Sequence, residues 1–466
     1  MRNIKNIALV AASNSTSILA GIFIGFLIPK ILTVTDYGMY KTFTLYMTYV
    51  GFFSLGIIDG IVLKYGGVDY QDLDRKDFRA YFAWYNIIHA FFAVLLLVTG
   101  LIINRKSLSF LLLMLAANMW AVNITGYFQQ LSQITQRFKE FSIRKVLQNT
   151  ANIIIVALLF IMHYRGVTIS YSSYIIAIVL INIILTGWYV YTYNDIVFGL
   201  RNTLISTYKE VKTLMQIGFP LLFANILSTL ILTLDRQFVN ILFDLKIYAV
   251  YAFAYNMLSI VTVATSAFSV VLYPALKRTT TEKIQYSYPY FIQIILILVS
   301  IALIVYYPLC IIVNRFLPNY IDSLIIFRIV FPGLIISSAI TVVMHNYYKT
   351  LGKNIVYFYK SIIILVLSAV ANIIAYVAFK SVYAISIASI LVMLVWYLYV
   401  ESYFVTIYNY KWKKNFFYMI SIMTSFYLAT SIHSIIISAF IYLISFLVIT
   451  VLFYRKQFKP IISIIK

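Results

Sequence analysis

Cysteine, histidine and charged residues are all scarce in this chain of 466 residues. Its one cysteine, Cys310, excludes an internal disulfide, and its four histidines do not have the spacing of metal ligands. Charged residues make up 11% of the chain and hydrophobic residues 63%, so too few charges exist to cover a soluble globule. We therefore expect a membrane protein that has neither a metal site nor a cofactor.

The sequence also lacks the G-x-x-x-x-G-K-[ST] motif that holds nucleotide phosphates. The segment 351–353 has the Gly-Lys pair of that motif but no upstream glycine, so this chain contains no ATP-driven motor. The acidic segment 72–74 looks like a metal-binding motif of glycosyltransferases. It lies among other charged residues in a short loop, and we interpret it as a solvated run of charges.

The positive charges alternate along the chain between rich and poor clusters, which apolar runs separate. Of the 36 lysines and arginines, 26 fall in one alternate set of clusters, 9 fall in the other, and Lys41 lies alone in an apolar run. Positive residues near the ends of membrane helices stay in the cytoplasm. We therefore predict that both termini are cytoplasmic. Because the net charge of +22 is spread over short loops that face lipid headgroups, it requires no nucleic-acid partner.

Apolar runs long enough to cross a membrane, which takes about 20 residues as a helix, recur along the whole chain. The sequence thus predicts an all-α integral membrane protein with about 14 transmembrane helices. The predicted spans are 7–30, 37–63, 80–103, 108–131, 146–163, 171–193, 215–243, 247–273, 290–313, 325–346, 356–379, 382–408, 415–432 and 434–453. Three prolines are candidate points of bending in spans 7, 9 and 10, namely Pro220, Pro308 and Pro332.

The two halves of the sequence are related to each other. At an offset of 211 residues, Asn14 matches Asn225 and Ser17 matches Ser228. The same offset relates two Tyr-x-x-Tyr segments, 37–40 and 248–251. Spans 1 and 7 would both begin in the cytoplasm, so we predict a parallel repeat about an axis along the membrane normal.

The repeat and the charge clusters together predict four regions. They are an N-lobe of six spans at 1–193, a linker at 194–214, a C-lobe of six spans at 215–408, and a C-terminal helix pair with a cytoplasmic tail at 409–466. Basic and apolar residues interleave in the linker. This pattern predicts an amphipathic helix on the cytoplasmic membrane surface.

Several local segments resemble a known family. They are Gly25–Leu32, Asp36–Tyr40, Leu55–Ile57, Leu234–Arg236 and Tyr248–Tyr251. Together with the charge layout, they resemble the polysaccharide-transport proteins. These are the Wzx-type lipid-linked oligosaccharide flippases of the multidrug/oligosaccharidyl-lipid/polysaccharide exporter superfamily.

The resemblance implies a transporter rather than an enzyme. Such proteins move an undecaprenyl-diphosphate-linked oligosaccharide repeat unit across the bacterial cytoplasmic (inner) membrane, by alternating access around a central cationic cavity. Assembly into O-antigen, capsule or exopolysaccharide follows outside, and a polysaccharide polymerase and a chain-length regulator are the partners implied. Two alternatives stay open. One is an ion-coupled small-molecule or drug antiporter of the same superfamily, and the other is a non-flipping membrane enzyme of polysaccharide assembly.

Charged side chains inside apolar spans are costly, and we treat them as candidate functional residues. Lys41 and Arg236 are candidate cations for the substrate diphosphate, although Lys41 could instead snorkel to the outer interface. Asp235 would orient Arg236 or carry a coupling ion, or both residues would pair with neighbouring helices. Asp59 and Glu401 are further ion-coupling candidates, with interfacial solvation or pairing with loop lysines as the favoured alternative.

Uncharged polar residues supply the remaining candidates. Asn14 and Asn225 are candidates for binding sugar hydroxyls, although such residues usually join helices to each other. The tyrosines of the two Tyr-x-x-Tyr segments are predicted to anchor the outer interface, and the alternative is that they stack against sugars.

Overall fold

The structure, a computed structural model, describes residues 2–277 and 279–457. Nearly all of these residues are helical and none lies in a strand, which confirms the predicted all-α class. The chain divides into two compact units, Met1–Ile226 and Leu227–Lys466, and the boundary falls inside one long helix. The predicted parallel repeat and its lobe boundaries stay predictions.

The first unit contains eight complete helices among its described residues and the first part of a ninth. They are α1 (Arg2–Ile31), α2 (Val34–Met47), α3 (Ile57–Tyr65), α4 (Arg75–Ile102), α5 (Lys106–Ile134), α6 (Phe138–Tyr164), α7 (Tyr171–Thr192), α8 (Asn194–Val197) and α9 (Leu204–Leu242). Short 3₁₀ turns occupy Val50–Ser54 and Tyr70–Asp72. The predicted linker contains α8 and the first turns of α9, which continues from there into the seventh span.

The second unit contains the rest of α9 and ten further α-helices over its described residues. They are α10 (Leu245–Lys277), α11 (Thr281–Ala302), α12 (Tyr306–Phe316), α13 (Ser323–Val330), α14 (Gly333–Ser338), α15 (His345–Thr350), α16 (Asn354–Phe379), α17 (Val382–Tyr408), α18 (Lys413–Ala429) and α19 (Ile435–Tyr454). A π-helical segment, Ala339–Met344, connects α14 to α15. Three short 3₁₀ turns complete the unit, Leu303–Val305, Pro318–Tyr320 and Arg455–Gln457.

These helices match the predicted spans closely. In the described ranges, 11 helices are long and apolar enough to cross a membrane, and the number rises to 13 if each of two bent pairs is one span. The predicted span 382–408 coincides with α17 at both ends. The predicted span 415–432 corresponds to α18, which has only 17 residues, so the predicted total of 14 spans is not confirmed.

Large apolar side chains cover the outside of the long helices. Leu101 on α4, Ile184 on α7 and Leu452 on α19 are each more than 70% exposed. Apolar surface of this extent is unfavourable in water, whereas the hydrocarbon of a bilayer accommodates it. Together with the spans, this surface makes the chain a multi-pass membrane protein.

The second span is bent rather than straight, which the sequence did not predict. Its two parts, Val34–Ser54 and Ile57–Tyr65, meet at 59°. Leu55 and Gly56 both have positive φ there, 48° and 81°, and glycine adopts such values without steric cost. A broken helix inside a membrane must lie against protein that satisfies its backbone.

Glycines bring the backbone of α3 against that of α9 within the first unit. A β-carbon on Gly60 would lie 2.1 Å from the carbonyl oxygen of Leu214, and one on Gly218 would lie 2.0 Å from the carbonyl oxygen of Gly56. Neither position has room for a larger residue. The bend of the second span is thereby supported by the first half of α9.

Of the three prolines predicted to bend spans, one is confirmed. The tenth span bends by 45° between Ser323–Val330 and Gly333–Thr350, and Pro332 lies at this break. Pro220 lies inside the continuous helix α9, and Pro308 lies in the first turn of α12. Proline is tolerated in a first turn because its missing N–H has no partner there.

Candidate functional site

Polar and charged side chains inside the membrane helices form three groups. The first, the Lys145 cluster, joins α1 to α6 in the first unit through five residues, Asn14, Thr16, Ser17, Lys145 and Asn149. The second, the Asp235 cluster, joins α9 to α10 in the second unit through Asp235, Arg236, Tyr251 and Tyr255. The third, the Glu401 cluster, joins α11 to α17 in the second unit through Tyr288 and Glu401.

The Lys145 cluster places a half-buried ammonium group beside neutral partners. Lys145 Nζ donates a hydrogen bond of 2.7 Å to Asn14 Oδ1. Asn149, one turn further along α6, donates to Thr16 Oγ1 at 3.0 Å and to Ser17 Oγ at 2.9 Å. An ammonium group has three donors, and no carboxylate pairs with this one in the described part of the chain. No described carboxylate therefore competes with an incoming anion for this ammonium group.

The sequence reasoning missed Lys145 as a functional residue, because it assigned this lysine to a cytoplasmic loop. In the structure α6 begins at Phe138, seven residues earlier, so Lys145 lies two turns inside the helix. The signal was present in the sequence. Polar residues at 145, 148, 149 and 152 recur at the spacing of one helical face, at the start of an apolar run.

A chain of amide side chains continues from this face of α6 across the first unit. Gln148 Nε2 donates to Asn182 Oδ1 at 3.0 Å, and Asn182 Nδ2 donates to Asn118 Oδ1 at 2.8 Å. Asn118 Nδ2 in turn contacts Met47 Sδ at 3.4 Å. Polar side chains of this kind hold membrane helices together, here α6, α7, α5 and α2.

Lys41 lies half-buried in α2, seven residues after the start of this helix. Its ammonium nitrogen is 5.3 Å from the ring centroid of Tyr37 and 5.4 Å from that of Tyr40. These distances are typical of cation–π contacts, which stabilise a charge without neutralising it. The two aromatic rings thus hold this cation inside the second span.

The prediction that the repeated tyrosines anchor the outer interface is wrong. Tyr37 and Tyr40 are buried in the first unit, and Tyr248 and Tyr251 are buried in the second. Tyr40 packs against Tyr174 of α7 with ring centroids 4.9 Å apart. Packing between helices therefore accounts for these rings better than contact with the membrane surface does.

The Asp235 cluster surrounds a buried carboxylate with hydrogen-bond donors. Asp235 is 3% exposed, and its Oδ2 accepts a hydrogen bond of 2.7 Å from the Tyr251 hydroxyl and another from the Tyr255 hydroxyl. Its Oδ1 accepts the backbone N–H of Arg236 at 2.8 Å. Both carboxylate oxygens are thus occupied by groups other than a guanidinium.

Arg236 is adjacent in sequence, but its guanidinium is directed to other partners. The group lies 4.6 Å from the ring centroid of Tyr255, and Nη2 donates to the Leu232 carbonyl oxygen at 3.0 Å. Its Nε is buried and has no hydrogen-bond partner. Arg236 lies six residues before the end of α9, so it is about 9 Å from that end along the helix axis. The arrangement leaves a cation inside a membrane helix with an unused donor.

The Glu401 cluster corrects the favoured interpretation of Glu401. Glu401 is 1% exposed and lies two turns before the end of α17, so interfacial solvation and pairing with loop lysines are both wrong. Its Oε2 accepts a hydrogen bond from the Tyr288 hydroxyl, and its Oε1 has no partner. The physical reason is that this face of α17 packs on α11, where the Tyr288 ring also stacks on Phe404 at 4.4 Å.

The other predicted residues lie apart from these three groups. Asp59 is half-buried in α3, just after the bend of the second span, and Asn225 is exposed on α9. Ser228, the predicted counterpart of Ser17, bonds to Tyr357 at 2.8 Å. Ser17 in predicted span 1 accepts a hydrogen bond from Asn149 in predicted span 5. Ser228 in predicted span 7 bonds to Tyr357 in predicted span 11, so the two units show the same pairing of spans. This correspondence supports the proposed repeat.

No group of three or more His, Cys, Asp or Glu residues within residues 2–277 and 279–457 is arranged to hold a metal ion. The three groups described above instead present single cations and single carboxylates inside membrane helices. Arrangements of this kind are found in the substrate and ion pathways of transporters.

Solved structures share this fold. The inward closed conformation of the lipid II flippase MurJ is 13% identical, with a TM-score of 0.62, and the match covers 97% of this chain and 99% of that one. An inward-facing multidrug resistance MATE family transporter of the MOP superfamily is 13% identical, with a TM-score of 0.60, over 84% of this chain and 95% of that one. A variant of the Vibrio cholerae MATE transporter VcmN is 14% identical, with a TM-score of 0.54, over 87% and 96%.

Sequence comparisons give the family. No protein with a curated description matches the chain in sequence. A family model described as "Polysaccharide biosynthesis protein" matches residues 4–280. Because this match covers more than half of the chain, the protein belongs to the polysaccharide biosynthesis protein family, as its sequence motifs indicated.

Proposed function

We propose that this protein is a flippase for undecaprenyl-diphosphate-linked oligosaccharide repeat units. It would move them across the bacterial cytoplasmic membrane by alternating access, and assembly into O-antigen, capsule or exopolysaccharide would follow, with a polymerase and a chain-length regulator as partners. The family match supports a role in polysaccharide biosynthesis, and the flippase-like fold supports transport as its mechanism. Both termini would lie in the cytoplasm, as the distribution of positive charge predicts.

The observation that carries the proposal is the state of Arg236. The diphosphate of the substrate must cross a region of low dielectric constant, where an unpaired charge is very costly. Two tyrosine hydroxyls donate to Oδ2 of Asp235, and the Arg236 guanidinium retains an Nε–H that has no partner. A planar guanidinium with a free donor is suited to phosphate oxygens.

Lys145 and Lys41 would extend this path for the diphosphate. In the predicted topology, Lys145 lies toward the cytoplasmic end of α6, whereas Lys41 and Arg236 lie toward the outer ends of α2 and α9. A diphosphate could therefore meet a cation near either leaflet. Asn14, beside Lys145, and the exposed Asn225 would bind sugar hydroxyls.

Asp59, Asp235 and Glu401 are the proposed residues for ion coupling. Asp235 already accepts three hydrogen bonds, which leaves little room for an incoming ion. Glu401 has an unoccupied oxygen, Oε1, and a single hydroxyl donor on the other oxygen. Glu401 is therefore the carboxylate best suited to bind and release a proton or a sodium ion during the cycle.

The test is to locate the lipid-linked oligosaccharide in a strain that lacks the gene. Spheroplasts are treated with an impermeant periodate reagent, and the lipid-linked sugar is then extracted and scored for oxidation. A flippase defect predicts that the oligosaccharide accumulates and resists oxidation until the membrane is permeabilised. Oligosaccharide that accumulates but is oxidised in intact spheroplasts would have crossed already, and this result would contradict flipping and favour an enzyme of later assembly.

A second candidate function is the export of organic cations in exchange for ions. Glu401 favours it, because a buried carboxylate that has an unoccupied oxygen can pair with a cationic substrate, and MATE transporters share the fold. Expression of the protein in a strain without its own drug exporters distinguishes the two functions. Resistance to cationic dyes that Glu401→Gln abolishes would favour the antiporter.

A further inference from the structure

Two apolar grooves lie on either side of α17 in the second unit. The first, of about 400 Å³, lies between α17 and α18 with α13 beside it, and the second, of about 730 Å³, lies between α16 and α17. Ile387 and Leu391 of α17 line both grooves, so they form the ridge between them. In the predicted topology α17 begins at the outer side of the membrane, which places both grooves in the outer leaflet.

The size of the first groove favours a lipid chain over a helix of a second copy of the protein. A helix with its side chains is about 10 Å wide and rises about 5.4 Å per turn, so each turn occupies about 420 Å³. The groove therefore has room for about one turn, which is too little for a helix that crosses the membrane. Apart from Thr424 and Tyr427, its wall consists of apolar side chains, which suit the hydrocarbon tail of a lipid.

A cation lies at the outer end of the first groove. Arg328 Nη2 donates to the Tyr427 carbonyl oxygen at 3.1 Å and to Ser431 Oγ at 2.6 Å. Tyr427 lines the groove, and Ser431 lies in the exposed turn that follows α18. The Nε and Nη1 atoms of Arg328 are accessible and form no hydrogen bond to another described residue. No described carboxylate pairs with this arginine, not even the exposed Asp322, which is nearest in sequence, so its remaining donors are available to an anion.

The wall of the first groove also contains a hydroxyl group, that of Thr424. Thr424 is exposed, and its hydroxyl forms no hydrogen bond to another described residue. A hydroxyl group without a partner in hydrocarbon is costly. Thr424 precedes Tyr427 by three residues on α18, so it lies about 4.5 Å further from the outer end along the helix axis. From the outer end inward the groove thus presents a cation, a hydroxyl donor and then apolar side chains, which is the order of phosphate, ester and acyl chain in a phospholipid.

We propose that the two grooves bind a resident anionic phospholipid of the outer leaflet, such as phosphatidylglycerol. Its phosphate would accept hydrogen bonds from Arg328, an ester carbonyl would accept one from Thr424, and its two acyl chains would occupy the two grooves. A polyprenyl diphosphate fits less well, because it has a single chain and no ester carbonyl. Phosphatidylcholine fits less well, because it brings a cation toward Arg328. The site goes beyond the proposed flipping function, since the bound lipid is not the cargo.

The bound lipid would join four helices of the second unit. The first groove lies against α13, α17 and α18, and the second adds α16. Both grooves exist only when these helices are packed together, so the lipid binds the folded protein and not the unfolded chain. A ligand of this kind stabilises the folded state in proportion to the logarithm of its concentration relative to Kd. We therefore expect lipid binding to raise the thermal stability of the protein.

The experiment uses the purified, delipidated full-length protein in a neutral detergent. Thermal unfolding is measured with added phosphatidylglycerol, phosphatidylcholine or undecaprenyl phosphate, and native mass spectrometry counts the lipids that remain bound. We expect phosphatidylglycerol to raise the unfolding temperature most and to remain bound. Arg328→Gln should lose at least half of that rise, and Thr424→Val should lose a smaller part. Leu391→Trp should also lose at least half, because the larger ring on the exposed ridge takes the space of the acyl chains. The matched control is Arg315→Gln, an exposed arginine at the same predicted side of the membrane but outside both groove walls.

Three results would overturn the assignment. A rise of equal size in Arg328→Gln and in the wild type would place the lipid elsewhere. Equal stabilisation by phosphatidylcholine would leave the cation without a role in selecting the lipid. Stronger stabilisation by undecaprenyl phosphate, removed by Arg328→Gln, would show a site for the cargo lipid instead. If Arg328→Gln fails to fold, Leu391→Trp decides, because Leu391 is exposed and its replacement leaves the packing between helices intact. Lipid binding is measured without transport, so a failure of the flippase proposal leaves this test intact.

Discussion

Lys145 and Asn14 are joined by a hydrogen bond of 2.7 Å between side chains that lie on different membrane helices, α6 and α1. The partner of the ammonium is a neutral amide, so the positive charge is fixed in place but not cancelled. Such a bond can be exchanged for a stronger one to a phosphate oxygen, because the phosphate oxygen carries negative charge and the amide oxygen does not. This relationship makes Lys145 the strongest substrate-binding candidate in the first unit.

The first prediction concerns Lys145 itself. Lys145→Ala should lower surface glycan at near-normal protein abundance, and the loss of a hydrogen bond to a charged group should reduce the flipping rate about tenfold or more. Lys145→Arg should retain part of the activity, since it keeps the charge. The measurement is surface glycan against protein abundance in membranes. Lys139→Ala, an exposed lysine at the start of the same helix, is the control, and an equal effect in both variants would contradict a specific role.

The second prediction tests the contact between α3 and α9. Gly60→Ala and Gly218→Ala should each destabilise the protein by about 1 to 3 kcal/mol or more, because the new methyl group would overlap a carbonyl oxygen of the facing helix. Thermal unfolding of the purified variants measures the effect. Gly126→Ala is the control, since nothing lies within 4 Å of its added carbon. Equal unfolding temperatures for all three variants would show that the backbones do not touch.

The positions of the helices could be predicted from the sequence because the bilayer fixes the length of each apolar run. The agreement of the predicted span 382–408 with α17 shows this. The bend at Leu55 and Gly56 could not be predicted, since both residues are apolar and hydropathy continues through the break. Its cause is the close approach of Gly218, which lies more than 150 residues further along the chain.

The residues of the candidate site were harder to predict than the helices. Asp235, Arg236 and Glu401 could be selected because a charge within an apolar run is conspicuous. Their partners could not, since Tyr288 bonds to Glu401 across 113 residues and is one of 41 tyrosines. Lys145 was missed for the opposite reason. A lysine next to other basic residues looks like part of a loop, and only the true start of α6 places it inside the helix.

The third prediction concerns Glu401. Glu401→Gln keeps an oxygen that can accept the Tyr288 hydroxyl, so folding and abundance should stay near normal. Glycan transport by this variant should lose its dependence on an imposed proton or sodium gradient, since an amide cannot bind and release an ion as a carboxylate does. Transport in membrane vesicles, with and without each gradient, measures this. Asp322→Asn, at an exposed position, is the control, and wild-type gradient dependence in Glu401→Gln would make Glu401 purely structural.

The fourth prediction concerns orientation in the membrane. Single cysteines placed at Asp69, Gln136 and Lys413 should resist an impermeant thiol reagent in intact cells, because the distribution of positive charge puts these positions in the cytoplasm. Cysteines at Lys106 and Asn319 should react. All five positions are exposed, and the native Cys310 is buried, so background labelling should be low. Labelling of the first set from outside would reverse the predicted topology.

The last prediction concerns Arg236 and Lys41, the two cations that the sequence selected for the diphosphate path. Arg236→Ala and Lys41→Ala should each lower surface glycan while leaving protein abundance near normal. The reason for Arg236 is that tyrosine hydroxyls, and not its guanidinium, hold the Asp235 carboxylate. Arg236→Lys should restore part of the activity, since it keeps the charge but loses the planar group that binds two phosphate oxygens at once. Lys246→Ala, an exposed lysine in the first turn of α10, is the matched control and should be silent. Normal glycan in both alanine variants at wild-type abundance would remove these residues from the substrate path, and would leave Lys41 as a lysine that snorkels to the outer interface.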